Sequence, residues 1–228
     1  MKKQQTYGND SISALKGADR VRKRPAVIFG SDGLDGCEHA VFEILSNAID
    51  EAREGHGNLI IVTRYLDHSI EVTDFGRGCP VDWNEKEGRY NWDLLFNEMY
   101  AGGKYDKENS DYAYSLGLNG LGLCATQYAS EYMEVEIYNG KYRYELDFKH
   151  GKPVRPYDEE LIKEEMKHKS GTRIKWRPDL KVFKDIAIPK IFFEETLRKQ
   201  AICNSGLTIV FRWQDRENGR TFETQTYY

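Results

Sequence analysis

Polar side chains that could bind a metal ion and orient a water molecule recur at helical spacing between residues 39 and 54. At about 100° per residue they fall within about a third of a helical turn, and they are His39, Glu43, Asn47, Asp50, Glu51 and Glu54. A solvated helix face normally mixes acids with lysine and arginine, whereas the only base of this segment, Arg53, lies off this face. Carboxylates, an amide and an imidazole together suit metal and water chemistry. Taken alone, however, the segment is better explained as an acidic surface helix.

Three glycine-bearing segments follow this helix along the chain. Residues 74–78 read Asp-Phe-Gly-Arg-Gly directly after a predicted strand, where Asp74 could present its carboxylate at the floor of a pocket for a flat ligand. Residues 101–104 read Ala-Gly-Gly-Lys, and residues 116–122 read Leu-Gly-Leu-Asn-Gly-Leu-Gly before a helix predicted at Leu123. Glycines at a helix N-terminus let backbone N–H groups converge on an anion. Each segment alone also fits a turn or a flexible loop, and the sequence has no G-x-x-x-x-G-K-[ST] phosphate loop.

The elements that must position these residues are helices early in the chain and antiparallel strands later. The apolar periodicity and the turn residues predict helices over 18–23, 39–54, 92–100 and 189–204, with Pro25 ending the first. They predict strands over 59–65, 69–73, 132–138, 141–149, 171–177, 207–213 and 221–227, with a hairpin turn at Asn139-Gly140. Residues 74–90 are predicted to be loop, and residues 101–122 a long functional lid or a flexible segment. This order predicts an α+β sandwich, in which helices cover a single face of one sheet.

Composition predicts an intracellular domain without membrane contact. The 228 residues carry a net charge of -4, which gives no electrostatic sign that this piece binds nucleic acid by itself. No apolar run approaches the roughly 20 residues of a membrane span, and the N-terminus does not lead into the apolar stretch of a signal peptide. The four cysteines form no C-x-x-C pair, so neither a disulfide framework nor a zinc site is expected. A reducing cytoplasm is the expected location.

The order of these features resembles that of the GHKL ATPases: an acidic helix with Asn47, then Asp74 and two glycines after a hairpin, then a glycine-rich lid, then Gly171-Thr172 before a strand. Within that family the chain is similar to the ATPase domain of bacterial type IIA DNA topoisomerases, the gyrase B and topoisomerase IV B subunits. The discriminating segments are Leu-Lys-Gly at 15–17, Val-Arg-Lys-Arg-Pro at 21–25 and Asn-Ala-Ile-Asp-Glu-Ala at 47–52.

This resemblance extends over nearly the whole chain and implies both a fold and a domain division. The implied fold is the GHKL (Bergerat) sandwich, a mixed and mostly antiparallel sheet with helices packed on one face. The implied division is an N-terminal dimerisation arm over 1–14 and an ATP-binding domain over 15–228. The implied cofactors are ATP and Mg²⁺.

The resemblance also implies a role for individual polar residues. Glu43 matches the general base that activates the water attacking the γ-phosphate, and His39 matches the histidine that supports this glutamate. Asn47 matches the ligand of the Mg²⁺ that bridges the phosphates. Asp74 matches the carboxylate that accepts the adenine amino hydrogen, with Thr172 nearby through a water.

Further positions of the pocket wall, the lid and the arm follow from the same resemblance. Glu51 and Arg77 match a salt-bridged pair at the pocket wall. Arg143 is expected at the pocket mouth, although a one-residue length difference in its hairpin leaves the register open. Asp50 and Glu54 match no role and are expected to be ordinary surface residues. The remaining expected ATP contacts are Gly78, Pro80, Gly102, Gly103, Lys104, Leu118, Asn119, Gly120, Leu121, Gly122, Leu123 and Cys124, with Tyr7 and Ile12 of the arm reaching the pocket of a second protomer.

The chain departs from the usual pattern of the bacterial gyrases at several positions. Leu116 stands where the lid usually has Gly, which predicts slower or differently shaped lid closure. Asn119 stands where the lid usually has His, which resembles the eukaryotic and phage enzymes and is compatible with activity. Ser46 stands where an acid usually precedes the Asn, and Phe75 stands where a second Asp usually follows Asp74. Residues 26–30 read Ala-Val-Ile-Phe-Gly where Gly-Met-Tyr-Ile-Gly is common.

The favoured function is the ATP-driven clamp of a type II topoisomerase. ATP closes the lid, the arm swaps, and a homodimer traps DNA in an enzyme that also contains the A subunit. Gyrase-like supercoiling is slightly preferred over topoisomerase IV-like decatenation. Because the family's next domain supplies a lysine to the γ-phosphate, this piece is expected to bind ATP, to hydrolyse it weakly and not to supercoil DNA alone.

Functions from other classes remain as alternatives. One is a GHKL ATPase of the chaperone or mismatch-repair type, against which the segment over 21–25 and the arm residues argue. Another is a degenerate nucleotide-binding paralogue retained for dimerisation. A sensor kinase is not expected, because the 38 residues before His39 leave no room for its phospho-acceptor helices.

Overall fold

The computed structural model describes residues 14–101, 120–154, 163–165, 168–214 and 221–228. Its helices are α1 (Asp19–Arg22), α2 (Pro25–Phe29), α3 (Leu34–Arg53), α4 (Asn91–Asn97), α5 (Gly122–Tyr128) and α6 (Lys190–Cys203). Its strands are β1 (Leu59–Arg64), β2 (Ile70–Asp74), β3 (Trp83–Asn84), β4 (Arg89–Tyr90), β5 (Ser130–Asn139), β6 (Tyr142–Lys149), β7 (Lys152–Pro153), β8 (Lys163–Glu165), β9 (Ser170–Pro178), β10 (Thr208–Gln214) and β11 (Phe222–Tyr227).

One mixed sheet contains most of these strands, in the order β11-β10-β1-β2-β9-β5-β6-β7, with β8 also paired to β6. Strands β1 and β10 are parallel, with Leu59 opposite Thr208, whereas the other pairs described in this sheet are antiparallel. Strands β3 and β4 form a separate small hairpin within the stretch predicted to be loop. The predicted α+β fold with a mixed, mostly antiparallel sheet is confirmed.

Alternation along the strands gives the sheet one apolar face and one charged face. Val135 and Ile137 of β5 are buried in the same core cluster as the apolar side of α3. Between them, Glu136 forms an ion pair with Arg173 of β9, which also pairs with Glu71 of β2. Because successive side chains of a strand point to opposite faces, the helices cover the apolar face and the ion pairs lie on the other.

Helix α3 begins at Leu34, earlier than the predicted residue 39. Its apolar stripe is buried as expected, and the stripe comprises Val41, Ile44, Leu45, Ala48 and Ile49. Asp50 is a correction, because only 2% of its surface is exposed although it was expected on the surface. Ser46, one helical turn earlier, is equally buried, so the row that contains Ser46 and Asp50 turns towards the protein.

The first predicted helix ends before Pro25 as expected, and Pro25 also begins the next helix, which the sequence pattern does not predict. Helix α1 stops at Arg22, Arg24 is non-helical at φ -142°, and Pro25 then occupies the first position of α2. Proline suits that position because its missing N–H would be unpaired there in any case. Gly30, at φ +77°, ends α2 in the left-handed conformation that glycine adopts without strain.

Two other predicted features can be compared directly with the structure. The predicted hairpin between β5 and β6 is present and its turn includes Asn139 and Gly140, but Tyr138 pairs with Arg143, so residues 139–142 lie between the paired residues. The Asn139 side chain accepts hydrogen bonds from the backbone N–H groups of Lys141 and Tyr142. Helix α4 ends at Asn97 and not at residue 100.

No helix within the described ranges is long and apolar enough to cross a membrane. None of the four cysteines, Cys37, Cys79, Cys124 and Cys203, forms a disulfide among the described residues.

Candidate functional site

His39 and Glu43 form a contact on α3 that the helical spacing predicts. The Nε2 atom of His39 lies 3.1 Å from Oε1 of Glu43, and its Nδ1 atom lies 3.3 Å from the carbonyl oxygen of Phe29 at the end of α2. The Phe29 ring also packs edge-on against the imidazole, with the ring centroids 6.1 Å apart. Both atoms that face the imidazole are acceptors, so His39 donates to both of them only when both ring nitrogens carry a proton, and in that form it orients the Glu43 carboxylate.

The start of α5 packs directly against this carboxylate. A β-carbon on Gly122 would lie 2.8 Å from Cδ and 3.0 Å from Cβ of Glu43. Non-bonded carbon atoms do not approach so closely without displacement, so a larger residue at this position would push the Glu43 side chain aside. The end of the predicted lid is therefore in contact with the residue predicted to activate water.

Asn47 presents its amide oxygen away from the helix backbone. Its Nδ2 atom donates to the carbonyl oxygen of Glu43 at 3.1 Å, one turn earlier, which leaves Oδ1 as the outward atom. An amide oxygen is a suitable ligand for a hard cation such as Mg²⁺. Ser46 donates to the same carbonyl at 2.9 Å. Its buried hydroxyl therefore has a hydrogen-bond partner, so a serine fits inside the protein at the position where an acid is usual.

No group of three or more His, Cys, Asp or Glu side chains that could hold a metal occurs among the residues described. Mg²⁺ commonly uses one or two protein oxygens and completes its octahedron with waters and phosphate oxygens. Asn47 alone fits that kind of site, in which the nucleotide supplies most of the ligands. It does not fit a site built from protein ligands only.

Asp74 lies at the end of β2 as a buried carboxylate with one oxygen anchored. Its Oδ1 atom accepts hydrogen bonds from the backbone N–H of Gly76 at 2.9 Å and of Thr172 at 3.3 Å. Because both of these bonds end on Oδ1, Oδ2 is the atom that can accept from a ligand. Burial raises the pKa of Asp74 to about 6, although the hydrogen bonds from Gly76 and Thr172 act in the opposite direction.

Two glycines allow the loop after Asp74 to lie against the ends of β5 and β9. Gly171 has φ +130°, and a β-carbon on it would lie 2.9 Å from Cα of Phe75. Gly78 has φ +80°, and a β-carbon there would lie 3.1 Å from the carbonyl carbon of Tyr138. This close packing also brings Cys79 to Thr172, with Sγ and Oγ1 3.7 Å apart.

Glu51 joins the same loop to α3 through Arg77. The Glu51 carboxylate accepts from the backbone N–H and Nε of Arg77, each at 3.1 Å, and from its Nη2 at 2.8 Å. Burial raises the pKa of Glu51, but the hydrogen bonds from Arg77 outweigh it and hold the pKa below its usual range. Glu54 also pairs with Arg77, so it belongs to this wall and is not the ordinary surface residue that was expected.

The structure does not bring Arg143 to this group of residues. Arg143 forms ion pairs with Glu136 at 3.2 Å and with Glu145, on the charged face of the sheet. Thr172 pairs with Ile137 in the register of β9 and β5, and paired residues point to the same face of a sheet. Because the Ile137 side chain is in the core, Thr172 is on the apolar face and Arg143 is on the charged one. The register left open by the hairpin length thus turns Arg143 away from Asp74 and Thr172.

The other predicted contacts divide into those the structure describes and those it does not. Gly120 accepts a hydrogen bond from the backbone N–H of Tyr100 at 3.1 Å. Leu121 and Leu123 pack partly buried against the core, and Cys124 is buried there, where burial raises the pKa of its thiol to about 12. Pro80 is an exposed residue of the loop after Asp74. Outside the described residues lie Tyr7, Ile12, Gly102, Gly103, Lys104, Leu118 and Asn119.

Some contributors to the site carry little signal in the sequence. The carbonyl oxygen of Phe29 acts through the backbone, which no residue type reveals. The only sign in the sequence that Cys79 belongs to the site is that it directly follows residues 74–78. Gly171 stands out in the sequence only as the neighbour of Thr172, and the close approach that it permits becomes visible when β9 is placed beside β2.

The fold and this arrangement define a class of nucleotide-binding ATPase. The family model described as "Histidine kinase-, DNA gyrase B-, and HSP90-like ATPase" matches residues 33–182, which is more than half of the chain. The chain therefore belongs to this ATPase family. The matched range includes α3, the loop after Asp74 and Thr172.

Relatives narrow the class to the type IIA topoisomerase branch. The DNA gyrase B subunit of Thermotoga maritima is 39% identical over 219 residues, which cover 95% of this chain and 33% of that protein. The mitochondrial DNA gyrase B subunit of Arabidopsis thaliana is 33% identical over 94% of this chain and 30% of its own length. The DNA gyrase B subunit of Rickettsia typhi is 35% identical over 90% of this chain and 25% of its own. The chain thus spans a third or less of these relatives, and the resemblance to bacterial topoisomerase B subunits is confirmed.

Proposed function

We propose that this chain binds ATP with Mg²⁺ and is the ATP-hydrolysing domain of a type II DNA topoisomerase B subunit. The observation that carries the proposal is the row of Glu43, Asn47 and Glu51 along one side of α3, with Glu51 packed beside Asp74. At 1.5 Å per residue, Glu43 and Glu51 are about 12 Å apart along the helix, a distance that an extended nucleoside triphosphate can span.

The two ends of this row suit the two ends of ATP: Asp74, beside Glu51, suits the adenine, and Glu43 suits the γ-phosphate. At one end, Oδ2 of Asp74 accepts a hydrogen from the adenine amino group, and leaving that buried acceptor unpaired penalises bases without such a donor. At the other end, Glu43 accepts a proton from the attacking water, and His39 holds the carboxylate in place. Asn47 would hold Mg²⁺, which neutralises charge on the phosphates when bound.

Phosphoryl transfer depends mainly on positioning and on charge stabilisation around a loose transition state. The contact of Gly122 with Glu43 is consistent with this need, because it links the end of the lid to the base. The lid segment itself, with Gly102, Gly103, Lys104, Leu118 and Asn119, is proposed to close over the triphosphate. Arg143 is not proposed as a nucleotide contact.

The experiment that tests the nucleotide role is calorimetry of the chain with ATP and with GTP, each with and without Mg²⁺. We expect ATP to bind more tightly with Mg²⁺ present, and this dependence to be lost in Asn47→Ala. We expect GTP to bind at least tenfold more weakly, because it lacks the amino hydrogen that Asp74 accepts. Equal affinities for ATP and GTP would contradict the role of Asp74.

For the whole protein we propose a homodimer that closes when ATP binds, through an arm formed by residues 1–14 including Tyr7 and Ile12. The names of the relatives support a partnership with the topoisomerase A subunit and with DNA. Gyrase-like supercoiling remains slightly preferred over decatenation, and the chain by itself is proposed to hydrolyse ATP weakly. A cytoplasmic location is part of this proposal.

A further inference from the structure

The thiol of Cys79 lies inside the candidate site, beside the residues proposed to bind the adenine. Its Sγ atom is 3.7 Å from Oγ1 of Thr172, and the backbone N–H of Thr172 donates to Oδ1 of Asp74 at 3.3 Å. Neither the binding nor the hydrolysis of ATP requires a thiol, because positioning and charge stabilisation suffice for phosphoryl transfer. The site therefore contains a nucleophilic side chain that its proposed chemistry does not use.

A buried acceptor next to this thiol points to a ligand. Only 9% of the surface of Asp74 is exposed, and the hydrogen bonds that it accepts from Gly76 and Thr172 both end on Oδ1. Within the described ranges no protein donor faces its Oδ2. Because buried polar atoms are normally paired, this oxygen requires a donor from a molecule that enters the site. Cys79 thus borders a place built for a ligand, unlike a cysteine on an open surface.

The four thiols of the chain differ in their expected reactivity. Cys37 and Cys124 are buried, and burial raises the pKa of both thiols, to about 12 for Cys124. The thiolate is the reactive form, so these two thiols should be inert near neutral pH. Cys79 is partly exposed, and Cys203, the last residue of α6, is exposed. A reagent in solution can therefore reach one thiol inside the site and one outside it.

We propose that Cys79 is a modification site for small α,β-unsaturated carbonyl compounds, and that its modification and ATP binding exclude each other. The exclusion rests on the proposed function, which assigns the adenine to the space in front of Asp74. In the reaction the thiolate Sγ of Cys79 bonds to the β-carbon of the carbon–carbon double bond. The π electron pair of that bond takes a proton from water, so the step consumes no oxidant or reductant.

The exclusion follows from the distances around Thr172. A group attached to Sγ begins 3.7 Å from the Thr172 hydroxyl, and Thr172 itself is bonded to the carboxylate of Asp74. A ring added there lies where a base donating to Oδ2 would lie, and a packed site does not accommodate both. A bound base, in turn, covers the thiol and shields it from the reagent.

The first test is labelling of the 228-residue chain with N-ethylmaleimide, followed by mass spectrometry of its peptides. We expect label on Cys79 and Cys203, and label on Cys37 and Cys124 only after unfolding in urea. With Mg²⁺ and ATP at about ten times its Kd, about one chain in eleven is unoccupied, so labelling of Cys79 should slow about tenfold. Labelling of Cys203, which is outside the site, should keep its rate.

The second test is ATP calorimetry before and after the same treatment, with each accessible thiol removed in turn. In Cys203→Ser the maleimide can reach only Cys79, and the treated chain should bind ATP at least tenfold more weakly than the untreated one. In Cys79→Ser it can reach only Cys203, and the ratio of treated to untreated affinity should stay near one, whatever the starting affinity. This ratio is unaffected by any change that the substitution itself makes to folding or binding.

The outcomes separate this proposal from the nucleotide role. A chain that binds ATP overturns the modification proposal alone if Cys79 is not labelled, is labelled equally fast with and without ATP, or keeps its ATP affinity when labelled. Loss of the circular dichroism spectrum on labelling would overturn it too, because the adduct would then act on the fold. A chain that is labelled at Cys79 but has no affinity for ATP refutes the nucleotide role, and the reactivity of the thiol stands.

Discussion

Asp74 is the residue whose electrostatics bear most directly on ligand binding. Its pKa in the folded chain is about 6 because of burial, so the carboxylate is ionised above that pH and protonated below it. The ionised form accepts the adenine amino hydrogen, and therefore ATP affinity should be constant above about pH 6 and fall by up to tenfold per pH unit below it. Calorimetry between pH 5 and 8 measures this, and Asp74→Asn serves as the reference because its amide does not titrate.

Comparing the unmodified chain with Asp74→Asn at each pH also cancels the titration of ATP itself. A ratio of affinities that does not change with pH would contradict the prediction.

The raised pKa of Asp74 has the opposite effect on the stability of the fold: a higher pH favours ATP binding but lowers the free energy of unfolding. A pKa raised from 3.8 means that the folded state gains stability from protonation below pH 3.8 and loses it as the pH rises through about 6. Asp74→Asn should therefore unfold no more easily than the unmodified chain at pH 7.

Glu43 can be tested separately from binding in the full-length protein. Glu43→Ala should leave ATP affinity within about threefold, because a water-activating base need not hold the ground-state nucleotide. Hydrolysis should fall by about 10² to 10⁴-fold, the usual contribution of a general base. Asp35→Asn, an exposed acid in the first turn of the same helix, is the control and should keep normal turnover. Steady-state ATPase assays give the answer, and unchanged turnover in Glu43→Ala would remove it from the base role.

The side-chain contacts that helical spacing alone predicted are local ones, whereas the pairing of Glu51 with Arg77 was expected only from the family resemblance. His39, Glu43 and Asn47 follow one another at four-residue spacing, and helical geometry alone places them in a row. The pairing of Glu54 with Arg77 and the direction of Arg143 were not predictable, because each depends on where a distant segment is packed. Asp50 was misplaced because helical periodicity does not say how wide the buried stripe is.

At the scale of elements, the contact between α5 and α3 is the most sensitive feature of the site. Gly122→Ala should favour the helix slightly by propensity, by up to about 1 kcal/mol. Its new β-carbon, however, would displace the Glu43 side chain, which lies within 3.0 Å at Cβ. We therefore expect nearly unchanged thermal unfolding together with at least a tenfold loss of ATP turnover in the full-length protein.

Gly33→Ala is the matched control for this substitution, because its β-carbon would meet only Oγ of Ser31 at 3.4 Å, an ordinary contact. It should leave turnover near normal. If Gly122→Ala also kept normal turnover, the close approach of α5 to Glu43 would not matter for hydrolysis. Circular dichroism of both variants separates an effect on folding from an effect on the base.

The sequence predicted elements best where neighbouring residues alone determine a turn, and less well where distant segments must pair. Asn139-Gly140 predicted its hairpin because that dipeptide favours tight turns, although the connection between the paired residues Tyr138 and Arg143 is longer than two residues. Pro25 was ambiguous, since proline both ends helices and begins them. The parallel pairing of β1 with β10 joins segments far apart in the chain, and a single sequence carries no local signal for it.

At the scale of the whole molecule, Asp179 joins parts of the chain that lie far apart in sequence. It binds Arg22 of α1 and His150 of the β6–β7 turn, and Arg22 also donates to the carbonyl oxygens of Tyr128 at 3.0 Å and Ser130 at 3.2 Å. Arg22 thereby satisfies a carbonyl that the end of α5 leaves without a helical partner. The Val-Arg-Lys-Arg-Pro segment contributes to the stability of the fold through this arginine.

Removing Asp179 should therefore destabilise the whole domain. Asp179→Ala leaves the largely buried Arg22 without its carboxylate and should lower the free energy of unfolding by about 3–5 kcal/mol. Asp179→Asn should lower it less, because its amide oxygen still accepts a hydrogen bond.

Burial raises the pKa of Asp179, but hydrogen bonds from Arg22, the Lys181 N–H and His150 hold it below 3.8. The ionised carboxylate thus stabilises the fold above pH 3.8, and this contribution is lost as the pH falls through the lower folded pKa. Urea unfolding followed by the fluorescence of buried Trp176 measures the effect, with exposed Glu85→Gln expected within about 0.5 kcal/mol. An unfolding midpoint of Asp179→Ala equal to that of Glu85→Gln would show that this buried cluster does not hold the domain together.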